Sequence, residues 1–136
     1  MNYWLVKTEP ESYSLEDLEA KGEEIWDGVR NYQARNFMEK MNPGDLVFVY
    51  HSGKQKSMVG LAEVSSAPFP DPKAKEDEKW LAVHLTYMQH LVNPLPLAAI
   101  KASPDLQNLL LLKQSRLSVM SVDPLDAALL LKMTRS

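Results

Sequence analysis

Three strand-like runs follow one another in the middle of this chain with no helix between them, and that order limits what the chain can fold into. Leu46-Val47-Phe48-Val49-Tyr50 is dense in β-branched and aromatic residues, as a central strand requires. Met58 to Val64 is the next run, joined to the first by the polar residues His51 to Ser57, a connection suited to antiparallel pairing. Gly60 inside it signals a bulge or a close backbone approach. Trp80 to Met88 then alternates Leu81, Val83, Leu85 and Tyr87 against Ala82, His84, Thr86 and Met88, the period of a half-buried strand. Consecutive strands flanked by helices imply an α+β fold: a curved, mostly antiparallel sheet or small β-barrel decorated with short helices.

The flanking segments fill in that outline. Met1 to Lys7 is apolar on both alternations, as in a strand covered on both faces, and Thr8-Glu9-Pro10 ends it. Ser14 caps a short helix whose C′ residue is Gly22, and Asn31 to Met41 turns Ala34, Phe37, Met38 and Met41 to one side of a second helix. Ala67 to Lys79, with three prolines, four acids and three lysines, reads as an exposed loop. Pro94 and Pro96 are expected to end the β-rich middle. Short helical pieces follow at 97–101 and 104–108, then a last strand over Arg116 to Val122 and a terminal helix from Asp123-Pro124. All of this fits one domain over residues 1–136.

Composition removes several classes of function. The net charge of −3 gives no global basic field to draw the chain to nucleic acid, so such a contact has to be local. Residues 9–24 hold seven carboxylates against Lys21, while residues 28–60 hold Arg30, Arg35, Lys40, Lys54 and Lys56 against Glu39 and Asp45. With no cysteine there is no disulfide, thiolate ligand or cysteine nucleophile. No apolar stretch approaches the roughly 20 residues of a membrane span and no signal peptide is visible, so a cytoplasmic protein without a membrane partner is expected. His51, His84 and His90 lack metal-ligand spacing, and no nucleophile elbow, phosphate loop or dinucleotide fingerprint is present. No metal, cofactor or catalytic residue is expected.

The segment Ile25 to Asn36 is where binding chemistry concentrates. An apolar pair, Ile25-Trp26, leads into an Asp27-Gly28 turn, and Asn31 then caps a helix. A strand end, a turn and a helix start thus meet within about ten residues, carrying an indole, two arginines and several amides. Such a junction suits a planar polar ligand, although the residue types alone also allow Trp26 to fill core. Other strand ends carry Trp4 with Lys7, Tyr50 with His51 and Ser52, and Arg116 with Ser118. In a compact barrel these ends can converge on one rim, an aromatic wall with polar edges of the kind that holds an extruded base. Trp4, in a strand covered on both faces, reads as core.

Taken together these motifs resemble the EVE-domain family along nearly the whole chain. The match runs through Tyr3-Trp4-Leu5-Val6-Lys7-Thr8-Glu9-Pro10, the block Trp26-Asp27-Gly28-Val29-Arg30-Asn31-Tyr32-Gln33-Ala34-Arg35-Asn36, and Gly44-Asp45 leading to Tyr50-His51-Ser52. It continues in Val59-Gly60, Ala62-Glu63-Val64, Phe69-Pro70-Asp71-Pro72 and Arg116-Leu117-Ser118-Val119. The resemblance implies a PUA-like fold, related to the YTH readers of methylated adenosine, and a pocket for a modified nucleobase, with modified cytosine in DNA preferred over RNA. By the same resemblance Trp26 matches the cage tryptophan, and Lys7, Arg30, Asn31, Tyr50, His51, Ser52 and Ser118 are ligand-binding. Met120-Ser121 departs from the Gln-Pro that the family commonly carries there.

Two rival readings use the same residues. One is an enzyme or small-molecule binder with His51 or Asp27 as acid–base group, and the other is a protein-interaction module in which Trp26 is core. The reader hypothesis assigns nearby phosphates to Arg35, Lys54 and Lys56 beside Arg30. One stack and a few edge contacts, set against the cost of extruding a base, give weak binding, so a protein partner or avidity is expected to assist.

Overall fold

The computed structural model describes residues 1–135; Ser136, the last residue of the expected domain, lies outside the described residues. Seven strands and five α-helices follow the order β1 (Tyr3–Thr8), α1 (Leu15–Lys21), β2 (Glu23–Trp26), α2 (Tyr32–Glu39), β3 (Leu46–His51), β4 (Ser57–Val64), β5 (Phe69–Pro70), β6 (Leu81–Pro96), α3 (Leu97–Ala102), α4 (Leu110–Lys113), β7 (Val119–Val122) and α5 (Pro124–Met133), with a 3₁₀ turn at Pro104–Leu106. The strands form one sheet in the order β2-β6-β4-β3-β1-β7, with β5 added to β6. All pairings are antiparallel except β1 with β3. The sheet is therefore mostly antiparallel, as expected, but it is not closed: the edge strands β2 and β7 do not pair, and α2 packs against both β6 and β7.

The helix caps follow from the sequence. Ser14 Oγ accepts from Asp17 N–H while the Asp17 carboxylate accepts from Ser14 N–H, a capping box that starts α1. Asn31 Oδ1 accepts from Ala34 N–H and starts α2. Both helices bury their apolar stripes on the sheet, Leu15 and Leu18 from α1, Ala34 and Met38 from α2. Trp4 is core, and its indole N–H reaches the buried Asp45 carboxylate at 2.9 Å. Asp45 also accepts from the backbone of Asn2 and Asn42, so the charge is buried with its acceptor sites occupied.

Three expectations are corrected. β6 does not stop before Pro94 and Pro96 but runs through both. β2 pairs with β6 only over 83–86, so beyond that point one edge of β6 is unpaired and proline removes no ladder bond there. The last strand is shorter than expected, leaving Arg116 to Ser118 outside it. Phe69-Pro70, inside the expected loop, pairs with β6, and this fixes the chain on either side of Asp71. Among the described residues no helix is long and apolar enough to cross a membrane.

Gly60 has both properties that a strand glycine suggests. The β4–β6 register shifts beside it, and a Cβ placed there would fall on the Leu15 side chain and lie 2.8 Å from the Gln89 carbonyl oxygen. Leu15 is fully buried and Gln89 O is backbone, so neither yields readily. Gly60→Ala is expected to lower stability by about 1–3 kcal/mol through overpacking of α1 on the sheet. Urea unfolding checks this, and an unchanged midpoint would show that α1 has room to move.

Candidate functional site

The open seam of the sheet holds a cavity of about 530 Å³. One side is built by the end of β1 (Lys7, Thr8), Glu9 and Ser118 just before β7; the other by Glu24 to Trp26 of β2 and the turn Asp27 to Arg30. Tyr13 and Lys73 complete the wall. The cavity thus lies between the ends of β1 and β2, two strands that are not neighbours in the sheet. Trp26 is half-buried, and Tyr13 meets it edge-on at 5.9 Å between centroids and 80° between planes. These two rings make an aromatic corner.

The turn that carries Trp26 is held from outside the β2–α2 segment. Gly28 adopts φ +77°, a left-handed conformation that glycine takes without strain, and its N–H donates to Asp71 Oδ2 at 2.8 Å. The same oxygen accepts from the Arg30 guanidinium at 2.9 Å, while Asp71 Oδ1 accepts from Lys73 N–H at 2.7 Å. The Asp71 side chain has no exposed surface. Burial pushes its carboxyl pKa up, but the bonds from Arg30, Gly28 and Lys73 outweigh that and leave it below the usual carboxylate range.

Cations and carboxylates alternate around the cavity. Lys7 Nζ donates to Ser115 O at 2.8 Å and lies 6.0 Å from the Tyr50 ring centre, and burial holds its pKa below the usual lysine range. Lys73 is 3.4 Å from Asp27. Lys21 donates to Glu24 and, with Ile25 N–H, keeps that carboxyl ionised. Burial, with the Glu24 carboxylate nearby, pushes the Tyr13 phenol up to about 12, so it remains a protonated donor. The Tyr13 hydroxyl is buried with no partner at regular hydrogen-bond geometry, and the neighbouring Glu24 carboxylate acts on it through a weak hydrogen bond and its charge.

The structure brings Lys7, Trp26, Arg30 and Ser118 together on this cavity and leaves the other expected residues off its wall. Asn31 is occupied as the α2 cap. Tyr50 is buried, pairing in register with Lys7, and burial raises its pKa. His51 pairs with Thr8 in the next register position, on the opposite face of the sheet, because strand side chains alternate. Its Nε2 accepts the Leu15 N–H at 3.0 Å at the start of α1 and its Nδ1 bonds Gln55 Oε1 at 2.8 Å in the β3–β4 connection, so both nitrogens are engaged. Ser52 N–H donates to Thr8 O behind the wall. Arg35 is tied to Lys79 O and Glu39, Lys54 lines a neighbouring hollow with Glu9 and Ser14, and Lys56 lines neither. Among the described residues no group of histidines and carboxylates is arranged to hold a metal ion.

Two site residues escape a reading by residue type. Asp71 lies in a charged, proline-rich loop, and its signal was the Phe69-Pro70-Asp71-Pro72 motif, which carries no role by itself. Tyr13 precedes the Ser14 cap, where an apolar residue ordinarily packs as a staple.

Comparison with known proteins follows from this geometry. The EVE domain family model matches residues 2–133. Mouse thymocyte nuclear protein 1 is 36% identical over 151 residues, taking in 87% of this chain and 67% of the mouse protein. Protein Atu2648 from Agrobacterium tumefaciens superposes with a TM-score of 0.96 at 40% identity, over 99% of this chain and 94% of that one. The crystal structure of the human THYN1 protein in complex with 5-methylcytosine-containing DNA superposes with a TM-score of 0.93 at 31% identity, over 100% of this chain and 99% of that one.

The Asp71 contacts give a signed prediction. A carboxyl whose folded pKa is depressed adds stability above its unfolded value, about 3.9, and loses it as pH falls through the lower folded value. Asp71→Asn is expected to cost about 2–3 kcal/mol at neutral pH, less than the roughly 3–5 kcal/mol of breaking a fully buried pair, because Arg30 keeps some solvent. The gap to the wild type should narrow below about pH 4. Denaturant midpoints measured across pH check both; a gap that widens in acid would contradict the assignment.

Proposed function

The chain belongs to the EVE-domain family, and we propose that its seam cavity holds a modified nucleobase, with modified cytosine in DNA as ligand, in a reader that performs no chemistry on it. The observation that carries this reading is the Trp26–Tyr13 corner opening on a base-sized hollow ringed by both donors and acceptors. The human THYN1 protein, crystallised with 5-methylcytosine-containing DNA, shares the fold over 99% of the crystallised chain.

The residues suit a cytosine edge. Its exocyclic amine is a donor, and carboxylates such as Asp27 and Glu24 accept from it. Its ring acceptors O2 and N3 match donors on Lys7, Ser118 and the Tyr13 hydroxyl. A 5-methyl group finds apolar wall in Ile25 and Val29. Arg30 sits at the rim, free enough at 36% side-chain exposure to meet a phosphate while Asp71 holds it in place. Arg35, Lys54 and Lys56 are assigned to phosphates farther along the strand. Asn31, Tyr50, His51 and Ser52 act as supports for the wall, since their polar groups or rings serve β1, α1 and α2. His51 has no ring nitrogen available for acid–base work, which disfavours the enzyme reading.

Extruding a base costs a few kcal/mol and one aromatic stack returns about 1–3 kcal/mol, so the isolated domain binds weakly and a partner supplying avidity fits the same picture. DNA carrying 5-methylcytosine is expected to bind more tightly than the unmodified sequence in fluorescence anisotropy; equal affinities would remove the reader assignment. Trp26→Ala should cost about 1–3 kcal/mol of that binding. Tyr13→Phe, which deletes one buried hydroxyl, should weaken it several-fold without lowering the melting temperature; unchanged affinity would remove the hydroxyl from the contact set.

A further inference from the structure

We propose that Tyr32 and Trp80, joined to the cavity by Arg30, form a second stacking site that takes the nucleotide next to the base held at Trp26. The inference rests on the base-binding reading of the cavity and names what lies beside it. Tyr32 is the first residue of α2 and is 74% exposed, so its ring has no part in the core. It is not loose on the surface: its ring lies 4.9 Å from that of Trp80, tilted by 30°. The Arg30 guanidinium carbon lies 5.4 Å from the centre of the Trp80 ring. Since Arg30 also lines the cavity, one cation touches both places.

The same clamp that shapes the cavity positions this surface. Asp71 holds the Arg30 guanidinium through its carboxylate, and its own N–H donates to Trp80 O at 2.9 Å. Arg35 Nε donates to Lys79 O at 2.7 Å, which ties α2 to the segment before Trp80 and keeps Tyr32 and Trp80 in contact. The result is a fixed, partly exposed pair of rings beside a cation that can meet a phosphate. Aromatic faces with an adjacent guanidinium take bases of any identity, because every base has a π-face. The occupant is therefore an unpaired base on a single-stranded or locally opened strand, flanking the modified one. Selectivity for the modification stays with the cavity, and the outer rings add affinity without sequence preference.

Calorimetric titration of the full chain with 5-methyl-2′-deoxycytidine monophosphate and with a short single-stranded oligonucleotide carrying one 5-methylcytosine tests this. Tyr32→Ala is expected to leave the mononucleotide affinity unchanged and to weaken the oligonucleotide by roughly tenfold, the effect of losing one base–aromatic stack. Tyr32→Phe should retain both affinities. Oligonucleotide binding that survives Tyr32→Ala intact would overturn the proposal and leave these rings as a contact for some other macromolecule; equal weakening of both ligands would overturn it too, by placing Tyr32 in the cavity. If the wild-type oligonucleotide gains nothing over the mononucleotide, the second site fails alone. If neither methylated ligand is preferred over its unmodified counterpart, the cavity reading fails and takes this inference with it.

Discussion

The Asp71 carboxylate, with no exposed surface, accepts hydrogen bonds from the Gly28 backbone, the Arg30 guanidinium and the Lys73 backbone. A buried carboxylate is tolerated only when its oxygens are occupied, and here they are occupied by the segment that forms the cavity wall. The bond to Gly28 fixes a left-handed turn directly after Trp26, and the bond to Arg30 sets a cation at the rim. The short β5–β6 pairing holds the loop that delivers Asp71. A stretch that is mostly exposed thereby determines the shape of the site on the far side of the sheet edge.

Much of the fold is legible in the sequence because it depends on local patterns. The dense apolar run of β3, the alternation in β6, the Ser14 box and the Asn31 cap each state their structure within a few residues, and each appears as expected. The lapses have non-local causes. Whether proline ends β6 depends on which neighbour lies beside it, and that is set by the length of β2, a strand far away in the chain. Whether the barrel closes depends on β2 and β7, the two shortest strands of the main sheet after β5, failing to reach one another.

The site is half legible for the same reason. Lys7, Trp26, Arg30 and Ser118 lie at element ends, and the topology brings those ends to one seam. His51 also lies at an element end, yet strand alternation turns it to the opposite face, where it serves α1. Tyr50, one residue back on the other face, is buried beside Lys7 and does not line the cavity either, so residue type reveals neither the face nor the depth of a strand end. Asp71 and Tyr13 act through partners more than ten residues distant, so their roles appear only once the chain is folded. The negative overall charge is consistent with this picture, since the cations that matter are few and held in place rather than spread over a basic face.

We propose that a methylated cytosine enters the seam between Trp26 and Tyr13 and leans on the turn that Asp71 holds. Amide and indole resonances followed by NMR during titration with 5-methylcytosine-containing DNA test it most directly. The Trp26 indole and the Gly28 amide are expected to shift together, while the indole of Trp4, buried against Asp45, stays in place. Shifts confined to surfaces away from the seam, with Trp26 and Gly28 unmoved at saturating DNA, would contradict it.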